Sequence, residues 1–335
     1  MIQKPNSVAK TTKKIRLLIA GFPGIGKSTL ALSAPKPLHI DVDRGVDRVQ
    51  AKNRKDFIQP ETYESLLEDL KSDLSDYETL VFDTGGKLLD LMKPFVIRQD
   101  SKNGQKDGQT LSIKGYGAVG KEFQRLMDYA FYTLNKNVVV IFHAKEDKDG
   151  EATKLRILVE GSTKDNVWQP MDLGGFMEIY NNKRTIGFSN CERYFAKGTH
   201  GINGVIELPD LDNPNIPNDF LTKLFQKVND NIKSEANYFE EQNKEYEEVM
   251  NKIAPLIEKM TFETVDSVTE TIKNAEHKLT SEKELRHKFK EKLAELNIFW
   301  NKDTKKWEQK VEETKKEEVI IDESKEIPNN AEPTE

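Results

Sequence analysis

The chain has 335 residues, 36% of them apolar and 32% charged, with a formal net charge of −6. That length suits two folded units at about 100–200 residues each, and no apolar run approaches the roughly 20 residues of a membrane-spanning helix. A single cysteine, Cys191, excludes an intramolecular disulfide framework, suits a reducing cytoplasm, and reads as a small buried residue.

Residues 1–14 form a basic N-terminal arm, with Lys4, Lys10, Lys13 and Lys14 and no acid. It is either a phosphate-touching arm or a solvated leader. The apolar "IRLLIA" after it is far too short for a signal peptide and has the length of a strand. "GFPGIGKS" (21–28) follows and fits G-x-x-x-x-G-K-[ST]. Glycines let successive backbone N–H groups turn inward around phosphates, and the preceding strand and following helix are the context such a loop needs. The expected nucleotide-binding residues are Gly21, Phe22, Pro23, Gly24, Ile25, Gly26, Lys27, Ser28 and Thr29. Lys27 is expected to reach the outer phosphates and Ser28 to ligate Mg²⁺.

"PLHIDV" (37–42) reads as a second strand ending in Asp41 and Asp43. A carboxylate just past such a strand would lie near the outer phosphate, because ligands in these sheets sit beyond the strands' carboxyl ends. Asp43 has the better reach, and Asp41 is expected to cap or brace. Tyr63, Leu66, Leu67 and Leu70 have helical spacing. "TLVFD" (79–83) reads as a third strand, whose Asp83 is expected to complete the Mg²⁺ shell. A helix to about Gln99 is followed by a polar segment, 100–117. Arg98, Lys102, Lys106, Lys114, Lys121 and Arg125 make this region a candidate basic loop, with Tyr116 available for stacking. A solvated loop is the alternative. "KEFQRLMDYAFYTLNK" (121–136) reads as an amphipathic helix and "NVVVIFHA" (137–144) as a buried strand.

Alternating strands and helices argue for a mostly parallel sheet covered on both faces. From residue 145 shorter, more polar strands ("TKLRILVEG", "FMEIYNN", "RTIGFS", "RYFAKG") read as antiparallel extensions, ending near "GVIELPD". The proline-rich "LPDLDNPNIPNDF" marks a boundary. Residues 219–310 read as a helix-rich region, closing in a hairpin over "IFWNKDTKKWEQ" with Trp300 against Trp307. Residues 311–335 hold nine acidic and three basic residues, so the acidic excess lies in this tail, which is expected to be disordered.

The order of these motifs resembles the core of RecA-type ATPases. More closely, "GFPGIGKSTLALSAPKPLHIDVDRG", "YGAVGKEFQRL" and "FHAKED" resemble RecA-like ATP-binding proteins of bacteriophages, including the Sak-type single-strand annealing ATPases. The resemblance covers residues 15–210. It implies an α/β RecA-like P-loop NTPase core with a mostly parallel sheet extended by antiparallel strands, plus the helical C-terminal region. It further implies ATP and Mg²⁺ as cofactors, and ATP hydrolysis. Asp43 falls on the position of the water-activating glutamate and is one methylene shorter, which implies a slow ATPase. His143 falls on the position of the residue that senses the outer phosphate. A basic residue acting on a neighbouring subunit's ATP is also implied, with Lys197 the candidate and Lys145 second. The implied partners are single-stranded DNA, a single-strand binding protein and further copies of the chain, in the cytoplasm of a bacterial host and away from membranes. An NTP-driven assembly or loading factor with little DNA affinity is the competing reading. A small-molecule kinase is a third, lacking a recognisable lid.

Overall fold

In strand β1 (Arg16–Gly21) successive side chains serve two different cores. Leu18 and Ala20 join one buried cluster while Leu17 and Ile19 join another, as the two-residue period of a strand requires. The computed structural model describes residues 12–149, 152–161 and 163–310. Most of the basic arm and all of the acidic tail lie outside these described residues.

After β1 come α1 (Lys27–Ala31), β2 (Pro37–Asp41), β3 (Phe57–Ile58), α2 (Tyr63–Asp69), β4 (Thr79–Asp83), α3 (Gly85–Gln99), α4 (Ile113–Asp128), β5 (Asn137–Asp149) and β6 (Ala152–Ile157). The chain continues through α5 (Thr163–Asn166), β7 (Leu173–Tyr180), β8 (Lys183–Gly187), β9 (Val205–Glu207) and the long α6 (Phe220–Glu258). It closes with α7 (Val265–Asn274), α8 (Ser281–Glu295), β10 (Ile298–Asn301) and β11 (Lys306–Gln309).

The main sheet runs β3-β2-β4-β5-β1-β7-β8-β9, with β6 folded back on β5. The pairs from β3 through β7 are parallel; β6, β8 and β9 pair antiparallel. This is the expected α/β arrangement: a mostly parallel sheet with antiparallel additions. The helices are started by side chains. Thr62 and Ser65 form a reciprocal capping box at α2, Thr84 accepts from Lys87 N at α3, and Ser112 accepts from Gly115 N at α4.

Three expectations about this unit change. "FMEIYNN" belongs to β7, which is parallel to β1 and not an antiparallel extension. Its first five residues are buried, as suits an interior strand, and it follows a long crossover instead of a tight turn. "RYFAKG" forms no strand and makes only two isolated bridges, Tyr194 with Leu155 and Lys197 with Gly174. Helix α4 starts at Ile113, eight residues before the expected 121, because Ser112 caps it.

The chain divides into two compact units, Met1–Asn237 and Tyr238–Glu335, and the division falls inside α6. The first unit extends past the proline-rich stretch because Leu221, Leu224, Phe225 and Val228 of α6 join the core that Leu17 and Ile19 enter. The second unit has its own core of Ile253, Ile257, Val268, Ile272 and Leu285. Its hairpin pairs Trp300 directly with Trp307, the rings meeting edge to face at 5.1 Å. Among the described residues no helix is long and apolar enough to cross a membrane.

Candidate active site

Register gathers the polar residues at one edge of the sheet. Gly21 pairs with His143, and Asp83 pairs with both Asp41 and Ile141. Val81, Val139 and Ile141 belong to the core that also takes Leu30 and Ala31 of α1. By alternation His39, Asp41, Asp83 and His143 therefore lie on the α1 face, at or near the strands' carboxyl ends.

The loop between β1 and α1 needs its glycines. Gly24 and Gly26 have φ of +76° and +97°, where a side chain is strained. A Cβ on Gly21 would stand 2.9 Å from the Met177 carbonyl oxygen. Lys27 is buried, and its Nζ donates to the Phe22 carbonyl at 2.7 Å. Burial lowers its pKa to about 8, with the Asp83 carboxylate pulling the other way. At Asp83 burial pushes the carboxyl up, but hydrogen bonds from His39 and Ser28, together with nearby charge, hold it below the ordinary value. His39 is fully buried, its Nε2 3.4 Å from Asp83 Oδ2. The donor set fits a phosphate chain with a hard cation: backbone N–H groups, an ammonium, a hydroxyl and an ionised carboxylate.

The two aspartates after β2 have different duties. Asp41 Oδ1 accepts from Gly45 N at 2.8 Å, and its Oδ2 accepts from Val46 N at 3.0 Å and Gln59 Nε2 at 2.7 Å. It braces the turn. Asp43 lies beyond the strand, half-buried, with Arg48 Nη1 on its Oδ2 at 2.9 Å. His143 is held below its ordinary pKa first by burial, then by the Lys27 charge, while Asp43 and Asp83 oppose. That shift favours the neutral imidazole, and Nδ1 is buried without a hydrogen-bond partner. Lys27, Ser28, Asp43, Asp83 and His143 thus form one electrostatic cluster.

Lys197 is not part of it. Its backbone bridges to Gly174, which pairs with Leu18 well before the carboxyl end of β1, and its Nζ donates to the Met171 carbonyl. An amine occupied by its own chain is poorly placed to serve a neighbour's ATP. Lys145, the second candidate, lies exposed on the β5–β6 hairpin. Three of the six cations of the basic segment 98–125 are paired: Arg98 with Glu64, Lys114 with Asp100, and Arg125 with Glu122. Cys191, expected to be buried, is exposed, because it sits in the loop after β8 and packs in neither core.

His39 and Arg48 escaped sequence reasoning. A histidine inside an apolar strand was the available signal for His39. Which carboxylate it meets depends on strand order, which no local pattern encodes.

A family model described as an AAA domain matches residues 13–200. The chain belongs to this AAA domain family. A search of curated proteins finds no match. Among solved structures the chain is similar to a helicase ATPase domain, at 10% identity, with 59% of this chain and 81% of that one covered and a TM-score of 0.37. It is also similar to the flagellar accessory protein FlaH from Methanocaldococcus jannaschii, at 10% identity, with 58% and 89% covered and a TM-score of 0.28. Likenesses this low add nothing to the topology already described.

The AAA domain also holds a cavity of about 1360 Å³ that reaches Asp43 and His143 and continues beneath the β5–β6 hairpin. Tyr116, Trp168 and Phe195 line it, as do Lys87, Lys145 and Lys164. Among the described residues these three lysines carry no ion pair.

Proposed function

We propose that this AAA domain binds ATP with Mg²⁺ at Gly21–Thr29 and hydrolyses it slowly, as a RecA-like phage ATPase of the Sak type that acts on single-stranded DNA in recombination, annealing or replication. The observation that carries the reading is the buried Asp83 carboxylate within electrostatic reach of Ser28 and Lys27, beneath a loop of the required sequence. Ser28 and Asp83 would hold Mg²⁺, which when bound draws charge from the phosphate oxygens. Lys27 Nζ exchanges the Phe22 carbonyl for an outer phosphate oxygen. Asp43, once Arg48 lets go of its Oδ2, orients the attacking water and accepts its proton. His143, neutral and with a free Nδ1, reports on the outer phosphate to the β5–β6 hairpin. Lys197 remains the candidate for action on a neighbouring copy only if its hold on Met171 is released.

For the DNA, support comes from the cavity, where three unpaired lysines accompany three aromatic side chains. That composition suits phosphates and stacked bases. A loading factor that binds protein partners, with little DNA affinity, is favoured by the internal pairing of Arg98, Lys114 and Arg125. Fluorescence anisotropy of a labelled oligonucleotide over a salt series separates the two. Binding that weakens steeply with salt and is lost in Lys145→Ala/Lys164→Ala supports the DNA reading, and its absence at low salt favours the loading factor.

A further inference from the structure

Arg184 stands beside Gly26 of the phosphate loop. It lies on β8, two residues before Ile186 and so on the α1 face. Its Nε is 3.6 Å from where a Cβ on Gly26 would be, closer than its own Cδ at 3.9 Å. Arg184 Nη2 donates to Asp212 Oδ2 at 2.7 Å. The Nε–H, by contrast, is buried and has no acceptor. A buried donor without a partner costs about 1–3 kcal/mol, a cost that a ligand supplying the acceptor would remove.

The surroundings narrow the ligand. Residues 208–218 run along the loop and α1: Leu211 Cδ1 would be 3.2 Å from a Gly26 Cβ, and Asn218 Nδ2 donates to the Thr29 carbonyl at 2.8 Å. Of the two aspartates of this wall, Asp210 and Asp212, it is Asp212 that meets Arg184, and its side chain is largely exposed. A guanidinium whose Nη2 holds an exposed carboxylate while its Nε–H, on the same edge, lacks an acceptor beside the phosphate loop is suited to share that edge between the carboxylate and a phosphate. Gly26 immediately precedes Lys27, in the part of such a loop that holds the inner phosphates, while the lysine reaches outward.

We propose that Arg184 is a same-chain ligand of the inner (α/β) phosphates of the bound nucleotide and that Asp212 holds it ready. The inference rests on nucleotide binding at Gly21–Thr29. It adds a contact that the G-x-x-x-x-G-K-[ST] pattern does not contain, and it ties nucleotide occupancy to the 208–218 wall.

The test is calorimetric titration of ADP and ATP, each with Mg²⁺, into the full chain and into Lys27→Ala, Arg184→Ala, Arg184→Lys and Asp212→Asn, after circular dichroism establishes that each is folded. Arg184→Ala is expected to weaken ADP and ATP equally, by about tenfold to a hundredfold. Arg184→Lys, a point charge without the fork, is expected to fall between, and it stands in if Arg184→Ala does not fold. Asp212→Asn is expected to bind ADP at least as tightly as wild type, since it frees the guanidinium. If Arg184 only tethers the wall through Asp212, then Asp212→Asn weakens binding as much as Arg184→Ala, and the proposal is overturned. A loss confined to ATP also overturns it, because the contact would then be to the outer phosphate. If the wild type binds neither nucleotide, or Lys27→Ala binds like wild type, the underlying site assignment fails instead.

Discussion

Replacing Lys27 with methionine should stabilise the nucleotide-free protein while destroying its ability to bind nucleotide. In the folded chain burial lowers the Lys27 pKa from 10.5 to about 8. A shift of that size places the cost of carrying the charge at about 3 kcal/mol, at 1.36 kcal/mol per unit. Methionine fills similar volume without the charge but loses the hydrogen bond to the Phe22 carbonyl, worth about 1 kcal/mol. The net expectation at pH 7 is a gain of about 2 kcal/mol, or about 4–8 °C in Tm for a unit of this size. The pH dependence distinguishes this cause from better packing. Below pH 8 Lys27 is charged in both states, so the folded wild type carries the whole penalty. From pH 8 to 10.5 the folded state releases its proton first, and the wild type gains stability relative to the variant. The assay is thermal unfolding of both proteins at pH 7 and at pH 10.5 without nucleotide. A variant equal to or less stable than wild type at pH 7 refutes the reasoning, as does an advantage unchanged at pH 10.5.

Other substitutions probe the supports of the site. Asp41→Ala removes a buried acceptor of three hydrogen bonds and should cost about 2–4 kcal/mol in chemical denaturation; a cost under about 0.5 kcal/mol would mean the turn does not depend on this brace. Gly85→Ala places a Cβ 2.4 Å from Phe142 Cζ, next to His143. It should cost about 1–3 kcal/mol and be rescued by Phe142→Leu in the same denaturation assay, whereas additive losses would show the two sites to be uncoupled.

What could be read without coordinates followed from how local each signal was. The phosphate loop was legible because its glycines, lysine and serine act within eight residues, between an apolar strand and a helix. β4 and β5 were legible as continuous apolar runs, the mark of strands buried on both faces. The Trp300–Trp307 hairpin was legible because its turn residues sit between two short aromatic strands. The direction of β7 was hidden, since a short strand ending in polar residues has no pattern that tells parallel from antiparallel pairing. Asp41 and Asp43, one residue apart on either side of Val42, could be told apart in the sequence only by reach, which made Asp41 the brace, as it is. The partners were hidden: the turn that closes on Asp41 and the arginine that meets Asp43. His39, Arg48 and Arg184 matter through partners elsewhere in the chain or across a turn, so strand order and loop path had to be known first. The pairing of Arg98 in segment 98–125 was hidden for the same reason, because Glu64, its partner, lies 34 residues away.

The most direct test of the account is steady-state ATP hydrolysis, with and without single-stranded DNA, by wild type, Lys27→Ala and Asp43→Asn. The account predicts slow hydrolysis that DNA stimulates. It predicts no activity in Lys27→Ala, and a fall of about 10²–10⁴ in Asp43→Asn with ATP affinity within about threefold of wild type. Hydrolysis by Asp43→Asn at the wild-type rate would contradict it, leaving Asp43 as a strand terminus paired with Arg48.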